Sequence, residues 1–187
     1  MCGIVAAVAD RNVVSVLLEG LRRLEYRGYD SAGLALIGQG GLQCLRAVGR
    51  VSELAAQAER SAASGETGIA YTCWATHGVP SERNAHPHVS GGLAVVHNGI
   101  IENHEPLRTR LRAEGYEFVS ETDTEVVAHL IASELKKHDD FFAAARAAIA
   151  QLRGAFALAI LHKSEPGRIV IAVGRSEERR VGKECRS

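Results

Sequence analysis

Short, wholly apolar runs alternate along this chain with longer stretches in which apolar residues return every three or four positions. The run over 4–8 reads as a buried strand, and Val13, Val14, Leu17, Leu18, Leu21 and Leu24 then mark one face of a helix that Asn12 is placed to cap. A polar, glycine-punctuated stretch over 25–33 leads to a strand at 34–37, and Gly38-Gln39-Gly40-Gly41 turns the chain back into a second strand at 42–48. Ser52 opens an alanine-rich helix to about Ala63, followed by a strand at 69–72. Apolar runs at 93–96 and 100–101 flank His97-Asn98-Gly99, and Asn-Gly in that setting predicts a hairpin turn.

Further on, Pro106 suits the first turn of a short helix that Gly115 ends. Thr122-Asp123-Thr124-Glu125 reads as a capping box ahead of Val126, Val127, Leu130, Ile131 and Leu135, with Asp123 a first-turn acid. Another helix is predicted over 141–152, then strands at 155–161 and 169–173 joined through Pro166-Gly167. Strands that arrive in hairpins with amphipathic helices between them favour an α+β fold of antiparallel sheets with helices packed outside. One domain is expected over 2–174. Periodicity and apolar content then vanish in the charged stretch 175–187, which is expected to be a disordered tail.

Composition narrows the function classes. The 187 residues carry 22 basic and 22 acidic side chains, so no basic face recommends nucleic acid or an anionic membrane as a partner. The longest apolar runs are too short to span a bilayer, and no charged segment precedes the first, which argues against a signal peptide. The cysteines at 2, 44, 73 and 185 have neither a Cys-x-x-Cys pair nor zinc spacing, and a reducing cytoplasm is expected.

The chemistry gathers at the start. Removal of Met1 before Cys2 would leave a free α-amine beside a thiol, nucleophile and base in one residue. A thiol titrates at about 8.5 and an α-amine at about 7.7–8.0, so the amine can take the thiol proton and later return it to a leaving group. A disulfide at Cys2 would abolish that reactivity. Read alone, Cys2 is equally a small apolar residue at a strand end. A second concentration lies over 73–101, with Trp74, Thr76, His77, Asn84, His86, His88, His97 and Asn98.

Six blocks together carry a resemblance: Met1-Cys2-Gly3-Ile4-Val5, Tyr26-Arg27-Gly28-Tyr29-Asp30-Ser31-Ala32-Gly33, Trp74-Ala75-Thr76-His77-Gly78, Asn84-Ala85-His86-Pro87-His88, His97-Asn98-Gly99-Ile100-Ile101-Glu102-Asn103 and Ser120-Glu121-Thr122-Asp123-Thr124-Glu125. In this order they resemble the glutaminase domain of the glucosamine-6-phosphate synthases, class II glutamine amidotransferases of the N-terminal-nucleophile hydrolase superfamily. The resemblance implies a four-layer αββα sandwich of two antiparallel sheets between helical layers, without cofactor or metal. It implies that the Cys2 thiolate attacks the side-chain amide of L-glutamine, releases ammonia and leaves a γ-glutamyl thioester for water to cleave. Asn98 and the backbone N–H of Gly99 match the oxyanion donors, Asp123 the partner of the substrate α-ammonium, and Thr76 and His77 the holders of its α-carboxylate. Arg27, Trp74 and His86 match residues that frame or close the pocket.

Two departures from that pattern matter. Cys73 stands where the family has an arginine that forks onto the substrate carboxylate. At ~1.5–3 kcal/mol for a hydrogen bond to a charged group, glutamine binding is expected to weaken by roughly 10- to 150-fold, with the nucleophile still competent. Beyond Gly174 the family continues with more of this domain and then with sugar-phosphate isomerase modules, so the domain is expected to be incomplete. Fructose 6-phosphate, and any homo-oligomer, would be reached only through those modules. Two other readings stay open: a glutamine-binding or regulatory module without turnover, and a metal-dependent amidohydrolase using His77, His86, His88 and His97.

Overall fold

The computed structural model describes residues 2–27, 30–73 and 81–174, the side chains of Arg27 and Cys73 excepted. The expectations for Met1, Gly28, Tyr29, Trp74, Thr76, His77 and the tail 175–187 therefore lie outside the described residues.

The elements follow in the order β1 (Gly3–Val8), α1 (Val14–Leu24), a 3-10 turn (Glu25–Arg27), β2 (Ser31–Gly38), β3 (Gly41–Val48), α2 (Val51–Arg60), β4 (Thr67–Cys73), β5 (His88–Ser90), β6 (Leu93–Ile101), α3 (His104–Ala113), α4 (Thr124–Glu134), α5 (Phe141–Ile149), β7 (Gly154–His162) and β8 (Val170–Gly174). They build two four-stranded sheets, ordered β1-β4-β2-β3 and β5-β6-β7-β8. Every pairing in both is antiparallel.

Three apolar clusters define the layers. Leu17, Leu18 and Leu21 of α1 and Val51 and Leu54 of α2 pack on Leu34, Leu36 and Ala70 of the first sheet. Ala35, Ile37, Ile69 and Tyr71 on that sheet's other face meet Ala94, Val96, Ala159 and Leu161 of the second. Leu93, Val95, Leu158 and Ile160 then face α3, α4 and α5. Helices, sheet, sheet and helices thus stack in four layers, as expected. Because both faces are covered there, 34–37, 93–96 and most of 155–161 read as apolar runs rather than alternating ones. Each fully buried Leu or Val contributes about 1.5–3 kcal/mol through the hydrophobic effect.

Local signals held in most places. Asn12 Oδ1 accepts from the N–H of Val14, and β2 and β3 close on Gly38 opposite Gly41. α3 holds Pro106 in its first turn and stops before Gly115, whose N–H donates to the Arg112 carbonyl.

Two expectations are corrected. His97-Asn98-Gly99 forms no hairpin: β6 runs unbroken from Leu93 to Ile101, paired with β7 throughout. Gly99 is required for a different reason, since its φ is +131° and a Cβ there would come within 2.1 Å of the Ala155 carbonyl oxygen. Thr122-Asp123-Thr124-Glu125 forms no capping box either. Asp123 precedes α4 without capping it, and Glu125 reaches back to the backbone N–H groups of Val119 and Ser120. Glu125 is buried, and those two donors satisfy its carboxylate.

Candidate active site

Stacking the sheets brings the start of β1, an edge strand of the first, against the middle of β6 in the second. Cys2 sits half-buried at the margin of the inter-sheet cluster. The side-chain amide nitrogen of Asn98 donates to the Cys2 carbonyl oxygen at 3.3 Å. Asn98 and Gly99 are both exposed, so their N–H groups border solvent beside Cys2.

Asp123 reaches the same neighbourhood from the far end of β6, where its Oδ2 accepts from the N–H of Ile101 at 2.8 Å. Its Oδ1 lies 3.7 Å from His97 Nδ1 and accepts from Thr124 Oγ1 at 3.4 Å. Thr124 is fully buried, and its hydroxyl also lies 2.8 Å from both His97 Nδ1 and His86 Nε2.

His86 belongs to a short segment clamped from two sides. Arg46 Nε donates to the neighbouring Pro87 carbonyl at 2.8 Å, and the ring of His86 stacks at a tilt on Tyr71, 4.2 Å between centroids. Asn84 Oδ1 accepts from the N–H of Glu121. Gly33 of β2 lies so close beneath that a Cβ would fall 2.0 Å from the His86 carbonyl oxygen, which explains the glycine.

Behind this layer lies a second buried polar chain. His88 Nε2 meets Thr122 Oγ1 at 2.9 Å, Thr122 meets Ser120 Oγ at 2.9 Å, and Ser120 Oγ donates to Glu125 at 2.7 Å. His129 lies 3.5 Å from Glu125 and bonds Ser90. Burial pushes the pKa of His86 far down and that of His88 down to about 3, the Arg46 guanidinium adding to the effect on His88 while Glu125 opposes it. Burial also lowers His97, against the pull of Asp123. All three rings are therefore neutral at physiological pH. Burial, with the Asp123 charge beside it, raises Tyr71 and keeps its phenol protonated.

Of the residues expected at the site, Cys2, Asn98, Gly99, His86 and Asp123 are thus described. Arg27 closes the 3-10 turn and Cys73 ends β4, their side chains outside the described residues, as are Trp74, Thr76 and His77 altogether. The sequence reading missed Thr124, Thr122 and Ser120. Their signal was hydroxyls at every second position over 120–124, into the first residue of α4. Of the histidines expected for a metal site, His86, His88 and His97 meet threonine hydroxyls. Among the described residues no three His, Cys, Asp or Glu side chains are grouped to hold a metal ion.

Cys2 is disulfide-bonded in this structure, and Cys44 is the free cysteine among the described residues. The β1–β4 register ends at Gly3 opposite Thr72.

The two-sheet sandwich sets Cys2 beside an amide donor, and residues 75–177 match the family model of the glutamine amidotransferase domain. The chain belongs to that family. Over 173 residues it is 57% identical to a glutamine–fructose-6-phosphate aminotransferase [isomerizing] of Shewanella oneidensis and 59% identical to that of Escherichia coli K12, covering 92% of this chain and 28% of each relative. The chain therefore spans little more than a quarter of the length of these relatives. Among solved structures it resembles the glutamine phosphoribosylpyrophosphate amidotransferase of B. subtilis, with TM-score 0.75 and 26% identity over 92% of this chain and 36% of that one. It also resembles an allosteric regulatory enzyme of purine biosynthesis, with TM-score 0.77 and 26% identity over 92% and 37%. Among the described residues no helix is long and apolar enough to cross a membrane.

Proposed function

We propose that this domain hydrolyses L-glutamine with Cys2 as nucleophile, and that the longer protein passes the ammonia to fructose 6-phosphate, the sugar phosphate in its relatives' name. The observation that carries the reading is the Asn98–Cys2 contact, which sets an amide donor beside the nucleophilic residue. With Met1 removed and Cys2 reduced, the α-amine takes the thiol proton and the sulfur attacks the side-chain carbonyl carbon of glutamine. The carbonyl oxygen becomes an oxyanion that Asn98 Nδ2 and the Gly99 N–H are placed to receive; each such donor lowers the barrier by ~2.7–4 kcal/mol. The C–N bond breaks, the departing nitrogen takes the proton held by the amine, and ammonia leaves a γ-glutamyl thioester. Water adds to it through a second oxyanion, releasing glutamate and the thiol.

Asp123 is the anchor for the substrate α-ammonium, its carboxylate oriented by Ile101 and Thr124. Arg27, Trp74, Thr76, His77 and His86 complete the pocket in this reading, and Cys73 leaves the α-carboxylate without its arginine. No cofactor enters the chemistry. The need for a free thiol suits the reducing cytoplasm. Turnover is favoured over binding alone because the relatives are named as aminotransferases.

The test is glutamate and ammonia release from glutamine by the reduced chain beside Cys2→Ala and Cys73→Arg. One glutamate per ammonia, loss of activity in Cys2→Ala and a KM lowered roughly 10- to 150-fold in Cys73→Arg are expected. Glutamine binding without release would favour the module without turnover.

A further inference from the structure

We propose that Thr124 is the positioning residue of the glutamine subsite, its hydroxyl tying His86 and His97 together and aiming the Asp123 carboxylate. The proposal rests on the reading of Asp123 as the α-ammonium anchor and extends it to the fully buried residue that follows it.

Three groups meet one oxygen. Thr124 Oγ1 lies 2.8 Å from His86 Nε2 and 2.8 Å from His97 Nδ1, and it donates toward Asp123 Oδ1 at 3.4 Å. A hydroxyl has one proton and two lone pairs. With both rings neutral, at least one of the two imidazole nitrogens must donate to Thr124, so the hydroxyl fixes a ring tautomer. His97 is the more constrained ring, because its buried Nε2 has no hydrogen-bond partner among the described residues. The three partners come from separate parts of the chain: the segment before β5, the middle of β6 and the approach to α4. Thr124 is fully buried where they meet, so the hydroxyl has no water to exchange for them.

The consequence falls on binding rather than on the bond-making step. Asn98 bonds the Cys2 carbonyl from β6, whereas Asp123 and His86 meet the Thr124 hydroxyl. Removing the hydroxyl while keeping the shape, in Thr124→Val, is expected to raise the KM for glutamine about tenfold and change kcat less than threefold. Thr124→Ser keeps the hydroxyl and is expected to bring KM back to within about threefold of the parent.

The experiment is steady-state glutaminase kinetics on both variants, with thermal melting and imidazole 15N NMR on each. Expected is the KM effect in Thr124→Val, its rescue in Thr124→Ser, and altered tautomer signals of His86 and His97 in Thr124→Val alone. If kcat falls with KM unchanged, or Thr124→Ser raises KM as much as Thr124→Val with the melting temperature intact, the proposal is overturned. Should Thr124→Val fail to fold, Thr124→Ser decides: a KM within about threefold of the parent is expected, and a KM raised about tenfold with the melting temperature intact overturns the proposal. If the parent chain releases no glutamate, the proposed function fails. The NMR comparison then still tests the hydroxyl, and unchanged tautomer signals overturn the junction itself.

Discussion

The side-chain nitrogen of Asn98 stands 3.3 Å from the Cys2 carbonyl oxygen although the two residues are 96 positions apart. The contact crosses from one sheet to the other, so it exists only if the sandwich is correctly stacked. Because Asn98 is exposed, Asn98→Ala is expected to leave the melting temperature nearly unchanged while kcat falls about 10²- to 10³-fold. An unaltered kcat would remove Asn98 from the oxyanion site.

Gly99 tests the same strand from the side of stability. Its φ of +131° disfavours any side chain, and a Cβ would collide with the Ala155 backbone oxygen at 2.1 Å, which only a shift of β7 can relieve. Gly99→Ala is expected to cost on the order of 3 kcal/mol, a drop of about 6–12 °C in thermal melting. Unchanged melting would mean that β6 and β7 are not paired through this position.

Glu125 makes stability depend on acid. Burial alone would raise its pKa, but hydrogen bonds from His129, Val119 and Ser120 outweigh it and lower the pKa to about 2. A carboxylate with a lowered folded-state pKa stabilises the fold fully above its unfolded value near 4.5, and that contribution is lost as pH falls toward 2. At about 1.4 kcal/mol per pKa unit this is on the order of 3 kcal/mol. Urea unfolding between pH 5.5 and pH 2.5, run on the parent and on Glu125→Gln, should show a steeper acid loss in the parent. Parallel curves would show that Glu125 does not carry the effect.

Cys2 cannot attack glutamine while its sulfur is in a disulfide. Glutaminase activity is expected to appear only after treatment with a thiol reductant. Reductant is expected to restore the free Cys2 thiol that the attack needs. Full activity of the unreduced parent would contradict this.

Much of the fold was legible because its signals are local. The helical spacing of Leu17, Leu18 and Leu21 and the glycine turn after β2 depend on neighbours in sequence. Asn98-Gly99 misled as a turn because the same dipeptide serves where a strand must press against its neighbour, a fact fixed by β7 more than fifty residues later. β5 was invisible for a related reason: its three residues form a strand only by pairing with β6. Of the proposed site, Cys2, Asn98, Gly99, His86 and Asp123 carry their signal in sequence motifs. The hydroxyls of Ser120, Thr122 and Thr124 were not legible, because their role comes from His86, His88 and His97, which only the tertiary fold brings to them.

The central claim, that Cys2 is the nucleophile of a glutamine site, is tested most directly by a glutamine analogue bearing an electrophilic ketone in place of the amide. The reduced, Met1-free chain would be incubated with it and the modified residue located by peptide mass spectrometry. Stoichiometric labelling of Cys2, slowed by added glutamine and absent at Cys44, is the predicted result. An unlabelled Cys2, or labelling that glutamine does not slow, would contradict it.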